Sequence, residues 1–339
     1  MPSSQSALPA ILGTMTIGNE GAEGIRTTRL EDVEALFDVF QAYGHTEVDS
    51  ARIYGLGSTE PLLAQAQWQE RGLIMQTKLY PTYGRAMGAV DTMYYTHKPE
   101  DLRRGLMDSL DALGASKIDL WYLHGPDRKT PMEETLRGIN QLHQEGYFAR
   151  WGISNYTSWE VAQICEICQR NGWVKPSVYQ GIYSALHRAV EPELFPCLRA
   201  YGLAFFAYQP LAGGFLSSRY HRDGDNPSEA GSRFDPQRWQ GSLMRGKYFN
   251  DSYFDALDVI RPVAQKYGLT EAECAFRWLC HHSEMSKEQG DAIIIGASSR
   301  AQLENNLSDM EKDALPEEMV QAMDDAWLRV KGTVSKYFH

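Results

Sequence analysis

The sequence predicts a (β/α)8 TIM barrel with long loops over the active end of the barrel. Short apolar runs alternate with longer amphipathic stretches, and this alternation is typical of a parallel sheet covered by helices. Eight such runs occur, which is the number of parallel strands that closes into a barrel. Since α/β barrels routinely reach this length as one domain, we expect a single domain over residues 1–339.

The eight predicted strands are short runs of β-branched, leucine or aromatic residues, bounded by glycine or polar residues. In chain order they are Pro9–Met15, His45–Asp49, Leu73–Lys78, Ile118–His124, Ala149–Ser154, Ser177–Gln180, Leu203–Tyr208 and Ala292–Gly296.

An open, doubly wound sheet is the competing fold. It usually carries a GxGxxG fingerprint directly after its first strand. Thr14–Gly18 follows the first predicted strand without that pattern, and Gly55-Leu56-Gly57 is followed by Ser58-Thr59-Glu60 where the third glycine should fall. The barrel is therefore favoured.

Helical patterns fill the intervals between the strands. Leu30–Tyr43 has apolar residues at three- and four-residue spacing, and Pro99–Leu113 begins with proline and acidic residues. Leu216–Gly246 is rich in glycine, serine, arginine and aspartate, and we interpret it as a long loop over the active end. Further helices are predicted over Met132–Gln144, Trp159–Arg170, Ser252–Tyr267, Glu271–Cys280, Ser298–Asp309 and Pro316–Val330.

Composition and charge argue against several classes of function. The net charge is −11, whereas a nucleic-acid-binding protein usually presents a basic face. No apolar run approaches the length of a membrane span and no secretion signal is visible, so we expect a cytoplasmic protein without a membrane partner. Cys165 and Cys168 have redox-pair spacing but lie within a predicted helix, so we interpret them as packing thiols and expect no metal site.

Polar side chains stand where the predicted strands end, and in a barrel these ends carry the function. A buried Lys78 needs a partner, and Asp49 on the neighbouring strand is the natural one. Tyr54 follows Asp49 closely, and His124 ends the next strand after Lys78. Each residue alone has an ordinary structural interpretation, but the set on three consecutive strand ends predicts a catalytic site.

These positions resemble the aldo-keto reductase family, and the resemblance covers nearly the whole chain. Val48–Gly55, Gln76–Lys78 and Leu123–Asp127 match the segments that carry the family's catalytic Asp, Tyr, Lys and His. The resemblance implies reduction of an aldehyde or reactive ketone to an alcohol with NADPH. Within the family, the aflatoxin-aldehyde reductase branch is resembled by Gly44–Glu47, Glu193–Leu198, Arg277–Leu279 and Tyr337-Phe338.

The resemblance implies a role for each catalytic position. Tyr54 would give a proton to the carbonyl oxygen as hydride arrives, and Lys78 would lower the pKa of that phenol. Asp49 would keep Lys78 charged and oriented. His124 would donate a hydrogen bond to the carbonyl oxygen.

The resemblance also implies a surface for NADPH. Ser154, Asn155 and Gln180 would hold the nicotinamide carboxamide, and Tyr208 would stack on the ring. Further cofactor-binding residues are expected at Gln209, Leu211, Gly213, Gly214, Arg219, Gly296, Ser298, Ser299, Gln302, Asn305 and Asn306.

One departure concerns the extra phosphate of NADPH. Other branches of the family have lysine and arginine where Ala297 and Gln302 stand. The aflatoxin-aldehyde branch lacks them too, so NADPH remains the predicted cofactor. Arg219 and Arg300 are the candidates to supply the positive charge.

The substrate is predicted to be a small carbonyl compound. Met15, Tyr54, His124 and Arg233 are the expected contacts, and Arg233 either meets a carboxylate or pairs at the surface. A monomer and a homodimer remain open. Two other functions also remain open: a cofactor-binding regulatory subunit resembling potassium-channel β subunits, and a lyase that uses Lys78 as a Schiff base.

Overall fold

Eight parallel strands form a closed barrel in a computed structural model that describes residues 5–83, 93–222 and 232–339. Consecutive strands pair in chain order, and the first pairs with the last, Ala10 lying opposite Ile293. The (β/α)8 barrel is thereby confirmed. The strands are β1 (Ala10–Gly13), β2 (Glu47–Asp49), β3 (Ile74–Leu79), β4 (Ile118–Leu123), β5 (Phe148–Ser154), β6 (Val178–Ile182), β7 (Ala204–Tyr208) and β8 (Ala292–Gly296).

Helices separate the strands, and several lie in the long connection between β7 and β8. They are α1 (Leu30–Ala42), α2 (Thr59–Gln65), α3 (Pro99–Ala112), α4 (Met132–Gln144), α5 (Ser158–Asn171), α6 (Leu194–Tyr201), α7 (Trp239–Tyr248), α8 (Asp251–Lys266), α9 (Glu271–His281), α10 (Arg300–Met310) and α11 (Glu317–Val330).

Local signals explain why the predicted helices begin and end close to the observed residues. The Thr157 side chain caps α5 in a capping box with Glu160, and Gly172 ends that helix with a φ of 66°. Pro99 occupies the first turn of α3, where its missing N–H costs no hydrogen bond. These signals act within one turn of the chain, so they can be identified without tertiary structure.

The prediction of a loop over Leu216–Gly246 is wrong in part, because α7 begins inside it at Trp239. Two glycines, Gly241 and Gly246, lower the helix propensity of this segment. Tertiary packing compensates: a Cβ on Gly241 would lie 1.8 Å from the Asp235 carbonyl oxygen, so only glycine allows this approach. Residues 223–231 of the predicted loop lie outside the described residues.

Side chains fill the barrel, and a larger apolar layer separates the strands from the helices. Ile11, Leu120, Tyr122, Val178 and Phe206 are among the buried residues of the interior cluster. Packed side chains inside a small barrel leave no channel, so ligands bind at its ends.

The buried cysteines belong to this apolar layer. Cys165 and Cys168 are buried on α5, and burial raises the pKa of both thiols to about 12. Both therefore stay protonated near neutral pH, which is unfavourable for redox or metal chemistry.

Among the residues that the structure describes, no three His, Cys, Asp or Glu side chains are grouped so that they could hold a metal ion. No helix in this part of the chain is both long enough and apolar enough to span a membrane.

The barrel wall at Gly152 has no room for a side chain. A Cβ there would lie 2.7 Å from the Tyr122 ring and 2.8 Å from the Val178 carbonyl oxygen. We expect Gly152→Ala to lower the free energy of unfolding by about 1–3 kcal/mol, because neither neighbour can move freely. Denaturant unfolding monitored by circular dichroism measures this.

Gly246→Ala is the matched control, since a Cβ on Gly246 in α7 would meet nothing within 4 Å. It should leave the stability unchanged or raise it by up to about 1 kcal/mol. Equal effects of the two substitutions would contradict the close packing at Gly152.

Candidate active site

A cleft of about 560 Å³ opens at the carboxyl ends of the strands. Its lining includes most of the sequence-predicted site residues: Met15, Asp49, Tyr54, His124, Ser154, Asn155, Gln180, Tyr208, Gln209, Leu211, Gly213, Gly214, Arg219, Arg233, Gly296, Ser298 and Gln302. Residues from opposite halves of the chain therefore converge at one end of the barrel, which is where barrel proteins carry their function.

Lys78 lies beneath the floor of the cleft with a fully buried side chain. Its Nζ donates to Asp49 Oδ2 at 2.7 Å, to the Ser50 carbonyl oxygen at 2.6 Å and to the Tyr54 hydroxyl at 3.3 Å. An ammonium has three N–H donors, so these contacts use all of them. Burial alone would lower the pKa of Lys78, but Asp49 and Tyr54 outweigh it and raise that pKa, so the group stays charged.

Tyr54 is presented to the cleft by a tight turn directly after it. Gly55, Leu56 and Gly57 all have positive φ, of 56°, 55° and 90°. Glycine adopts such angles without strain, and at Gly55 a Cβ would also lie 2.6 Å from the Ser58 hydroxyl. The turn sets the Tyr54 ring 4.9 Å from Lys78 Nζ.

The pKa of Tyr54 differs from the sequence-based expectation. Burial of the hydroxyl raises its pKa, and the positive charge of Lys78 opposes that rise without cancelling it. Lys78 acts in the expected direction, but the expectation omitted the burial of the phenol. Tyr54 is consequently a neutral phenol with a proton to give at neutral pH.

A buried ion pair supports the turn from behind. Arg52 Nη1 lies 2.6 Å from Glu60 Oε2, and Glu60 Oε1 accepts a hydrogen bond from Thr77 at 2.6 Å. Since Thr77 precedes Lys78 on β3, this pair links the Tyr54 turn to the strand that carries the lysine. Our sequence reasoning missed Arg52 and Glu60, although Arg52 lies within the Val48–Gly55 match.

His124 is a neutral imidazole at the edge of the cleft. Burial, and then the charges of Lys78 and His339, hold its pKa well below the usual range. Within the described residues its Nδ1 has no hydrogen-bond partner. The ring meets Tyr54 edge-on at 5.8 Å between centroids. A neutral imidazole carries one N–H, and His124 belongs to the lining of the cleft.

The predicted carboxamide-binding residues lie together and are hydrogen-bonded to their surroundings. Asn155 donates to the His124 carbonyl oxygen at 2.9 Å and to Ser154 Oγ at 3.0 Å. It accepts from the Tyr208 hydroxyl at 2.8 Å. Gln180 donates to Asp49 Oδ1 at 2.8 Å, which joins this wall to the Lys78 pair.

The other end of the cleft fits the phosphates of a dinucleotide. A Cβ on Gly214 or Gly296 would meet nothing within 4 Å, so both backbones border open space. Ser299 caps the start of α10 by accepting from the Gln302 N–H at 3.3 Å. A helix N-terminus beside exposed glycine backbone is favourable for a phosphate.

Some predicted cofactor residues do not line the cleft of the described chain. The side chain of Ser299 caps the N-terminus of α10 and does not line the cleft. Arg300 begins α10 with an exposed side chain. Asn305 and Asn306 follow on the same helix, and Asn306 is buried. Their side chains lie outside the lining, whereas Ser298 and Gln302 belong to it.

The end of the cleft where substrate contacts are predicted combines arginine with an apolar rim. Arg233 lies beside Met15, with Nη2 3.9 Å from the sulfur. Burial, and then the charge of Arg26, lower the pKa of Arg233, so two guanidinium groups face the same part of the cleft. Trp239 lines the rim and is 66% exposed. Arg26 was missed because nothing in its local sequence distinguishes it.

His339 is a further cleft residue that sequence reasoning missed. Its Nε2 lies 3.0 Å from the Tyr80 hydroxyl, and the Tyr80 ring meets His124 at 5.5 Å between centroids. Gly125 makes room for this contact, because a Cβ there would lie 3.0 Å from His339 Nε2. The contact joins residues that are 259 positions apart in the sequence, so no local sequence signal indicates it.

The sequence of this chain is similar to those of known proteins along nearly its whole length. Residues 9–328 match the aldo/keto reductase family. A Monascus ruber protein named aldo-keto reductase pigE is 54% identical over 99% of both chains. The human protein named aldo-keto reductase family 7 member A3 is 39% identical over 98% of both. The mouse protein named aflatoxin B1 aldehyde reductase member 2 is 38% identical, over 97% of this chain and 87% of its own.

The buried pair of Lys78 and Asp49 predicts that replacing Asp49 alone destabilises the protein more than replacing both residues does. We expect Asp49→Asn to lower the free energy of unfolding by about 3–5 kcal/mol, because it leaves a buried ammonium without its carboxylate. Adding Lys78→Met to that variant should recover part of the loss. Denaturant unfolding of the single and double variants measures both effects.

Glu31→Gln is the control, since it breaks the exposed pair between Arg29 and Glu31. It should leave the stability close to that of the unsubstituted protein. If Asp49→Asn behaved like this control, the assignment of a fully buried charge pair would be wrong.

Proposed function

The chain belongs to the aldo/keto reductase family, and on that premise we propose that it reduces aldehydes or reactive ketones to alcohols with NADPH. Members of this family are oxidoreductases that generally use NAD(P)H. The observation that carries the proposal is the contact of Lys78 with Asp49 and Tyr54 beside His124, at 2.7 Å and 3.3 Å. These are the four side chains that proton delivery to a carbonyl oxygen requires.

Proton transfer is the part of the reaction that this chain would perform. When bound, the cofactor supplies the hydride to the carbonyl carbon. Tyr54 gives its hydroxyl proton to the carbonyl oxygen as negative charge develops there. Lys78, held charged by Asp49, stabilises the resulting phenolate. His124 donates its N–H to the same oxygen and orients the substrate.

The cofactor-binding roles follow from the walls of the cleft. We assign Ser154, Asn155 and Gln180 to the carboxamide of the nicotinamide, and Tyr208 to one face of its ring. We assign Gly213 and Gly214 to the pyrophosphate, because a Cβ on Gly214 would meet nothing within 4 Å and the backbone there can approach a ligand closely. The remaining assignments, toward the adenosine phosphate and the backbone near it, are Gln209, Leu211, Arg219, Gly296, Ser298, Ser299, Gln302, Asn305 and Asn306.

The substrate class is proposed from the rim of the cleft and from the relatives. The mouse relative is named for an aflatoxin aldehyde, and we propose aldehydes or dicarbonyls of secondary or detoxification metabolism for this chain. Met15 and the exposed Trp239 offer apolar contact. Arg233 would receive a carboxylate where the substrate carries one.

The environment of Lys78 argues against the Schiff-base lyase. A lysine must lose its proton to attack a carbonyl carbon, but Asp49 and Tyr54 raise the pKa of Lys78 above its usual value. All three of its N–H donors already have acceptors. A measurement of turnover distinguishes the enzyme from the regulatory-subunit alternative, since a regulatory subunit that only senses the cofactor would reduce carbonyl substrates very slowly.

Tyr54→Phe tests the proton donor. We expect kcat for 4-nitrobenzaldehyde, followed at 340 nm with NADPH, to fall by about 10² to 10⁴, since this is the range that general-acid catalysis contributes. Binding of NADPH, read from quenching of protein fluorescence, should persist because only one oxygen is removed.

Tyr83→Phe is the matched control, because Tyr83 is exposed and does not line the cleft of the described chain. It should keep full turnover. Turnover retained in Tyr54→Phe would refute the role of Tyr54, and absent turnover in the unsubstituted protein would favour the regulatory alternative.

Replacing Arg219 or Arg300 by alanine tests the preference for NADPH over NADH. Alanine at either position should raise the Kd for NADPH by about tenfold, since a hydrogen bond between charged groups is lost, and should leave the Kd for NADH nearly unchanged. Arg329→Ala on α11 controls for the loss of one exposed positive charge. Equal changes for the two cofactors would remove the substituted arginine as a phosphate ligand.

A further inference from the structure

A second cavity of about 310 Å³ adjoins the cleft, between α7, the end of β7 and residues 335–339. We call it the side pocket. It shares Asn155, Tyr208, Gln209 and His339 with the lining of the cleft, so the two spaces border each other at those residues. A cavity of this volume is at the lower limit of pockets that hold small molecules.

Two ammonium groups line the side pocket, from Lys247 on α7 and from Lys336. No Asp or Glu side chain belongs to the lining, and within residues 5–83, 93–222 and 232–339 neither lysine forms an ion pair with one. Lys247 is half-buried, with Nζ 5.2 Å from the centre of the Tyr248 ring, whereas Lys336 is exposed. The pocket therefore concentrates positive charge in a protein whose net charge is −11.

The other titratable groups do not offset these charges near neutral pH. Burial raises the pKa of Tyr208, and it raises the pKa of Tyr337 to about 12, so both phenols stay protonated. His187 lies close enough to Lys247 for their charges to interact, and burial lowers its pKa to about 4, which leaves it neutral. The imidazole of His339 is the remaining titratable side chain of the lining and adds no negative charge, and the main-chain oxygen of His339 accepts from Arg128 Nη1 at 2.9 Å.

We propose that the side pocket is an anion-binding site, in which Lys247 and Lys336 hold a carboxylate group of a small organic acid. A half-buried charge without a counter-charge is unfavourable, and an anion beside Lys247 would remove that cost. The carboxylate belongs either to a separate acid or to the far end of a carbonyl substrate that passes His339 from the cleft. Binding at this site does not depend on the proposed reductase activity.

Burial of Lys247 also gives the site a pH dependence with a defined sign. Burial lowers the pKa of Lys247 to about 8, so the ammonium is present below that pH and is lost above it. Anion affinity should therefore weaken as the pH rises through about 8. The exposed Lys336 lacks this burial and should contribute little to that change.

The test is calorimetric titration of citrate into the full-length protein without cofactor, at low salt and pH 7. The unsubstituted protein should bind with saturable, one-to-one stoichiometry. Lys247→Met should bind about tenfold more weakly or worse, because it removes a charged hydrogen bond from a partly buried site. Lys336→Met should lose about threefold, since an exposed charge contributes less.

Lys331→Met, at the exposed end of α11, removes the same charge away from the pocket and should leave the affinity unchanged. Thermal unfolding checks the fold, and Lys247→Met should melt no lower than the unsubstituted protein because it removes a half-buried charge. Equal citrate affinity in Lys247→Met and the unsubstituted protein would overturn the proposal, since an anion held by the arginines of the cleft would give that result. Absence of saturable binding would overturn it too.

A kinetic comparison then identifies the source of the carboxylate. If the substrate's own acid enters the pocket, Lys247→Met should raise KM for 4-carboxybenzaldehyde but not for 4-nitrobenzaldehyde. If a separate acid binds, both KM values stay unchanged while the citrate titration still shows the loss. Both outcomes support the site, because citrate binding is read without turnover and is unaffected if the proposed reductase activity fails.

Discussion

The charged contact between Lys78 and Asp49 determines how the active end of this barrel is built. A fully buried ammonium is tolerated only where acceptors satisfy each of its N–H groups. Asp49, the Ser50 carbonyl and the Tyr54 hydroxyl are those acceptors, and all three come from β2 and the loop after it. The lysine on β3 therefore requires β2 to be in its present register, and it requires the Tyr54 turn to lie directly above it.

Hydrogen bonds extend this constraint to the opposite wall of the cleft. Gln180 on β6 donates to the second oxygen of Asp49, so the carboxylate is held from both sides of the barrel. Tyr208 donates to Asn155, which in turn holds the His124 carbonyl. Each of these polar groups is held by another side chain or by the backbone, so the groups at the barrel mouth are oriented before any ligand arrives. Preorganised electrostatic stabilisation requires such an arrangement.

Features that follow from a short stretch of sequence could be predicted, whereas features that depend on residues distant in the sequence were missed. Asp49, Lys78 and His124 could be found because each follows an apolar run and parallel strands align their carboxyl ends. The helix over Trp239–Tyr248 was missed because packing of Gly241 on Asp235 compensates for poor propensity. The rise in the pKa of Tyr54 was missed for a related reason, since desolvation depends on the surrounding chain and not on the sequence next to the residue.

The distribution of charge suits an acidic chain to the anionic ligands that we propose for it. Among the described residues, the Asp and Glu side chains that line the cleft are Glu23 and Asp49, and both accept hydrogen bonds. Glu23 accepts from the Gln240 backbone N–H at 2.8 Å, and Asp49 accepts from Lys78 and Gln180. The negative charge of the protein thus lies mainly elsewhere. The cations at this face are Arg26, Arg219, Arg233, Lys247 and Lys336. A positively charged recess in an acidic protein focuses the local field, so it favours anions even though long-range attraction is weak and screened by salt.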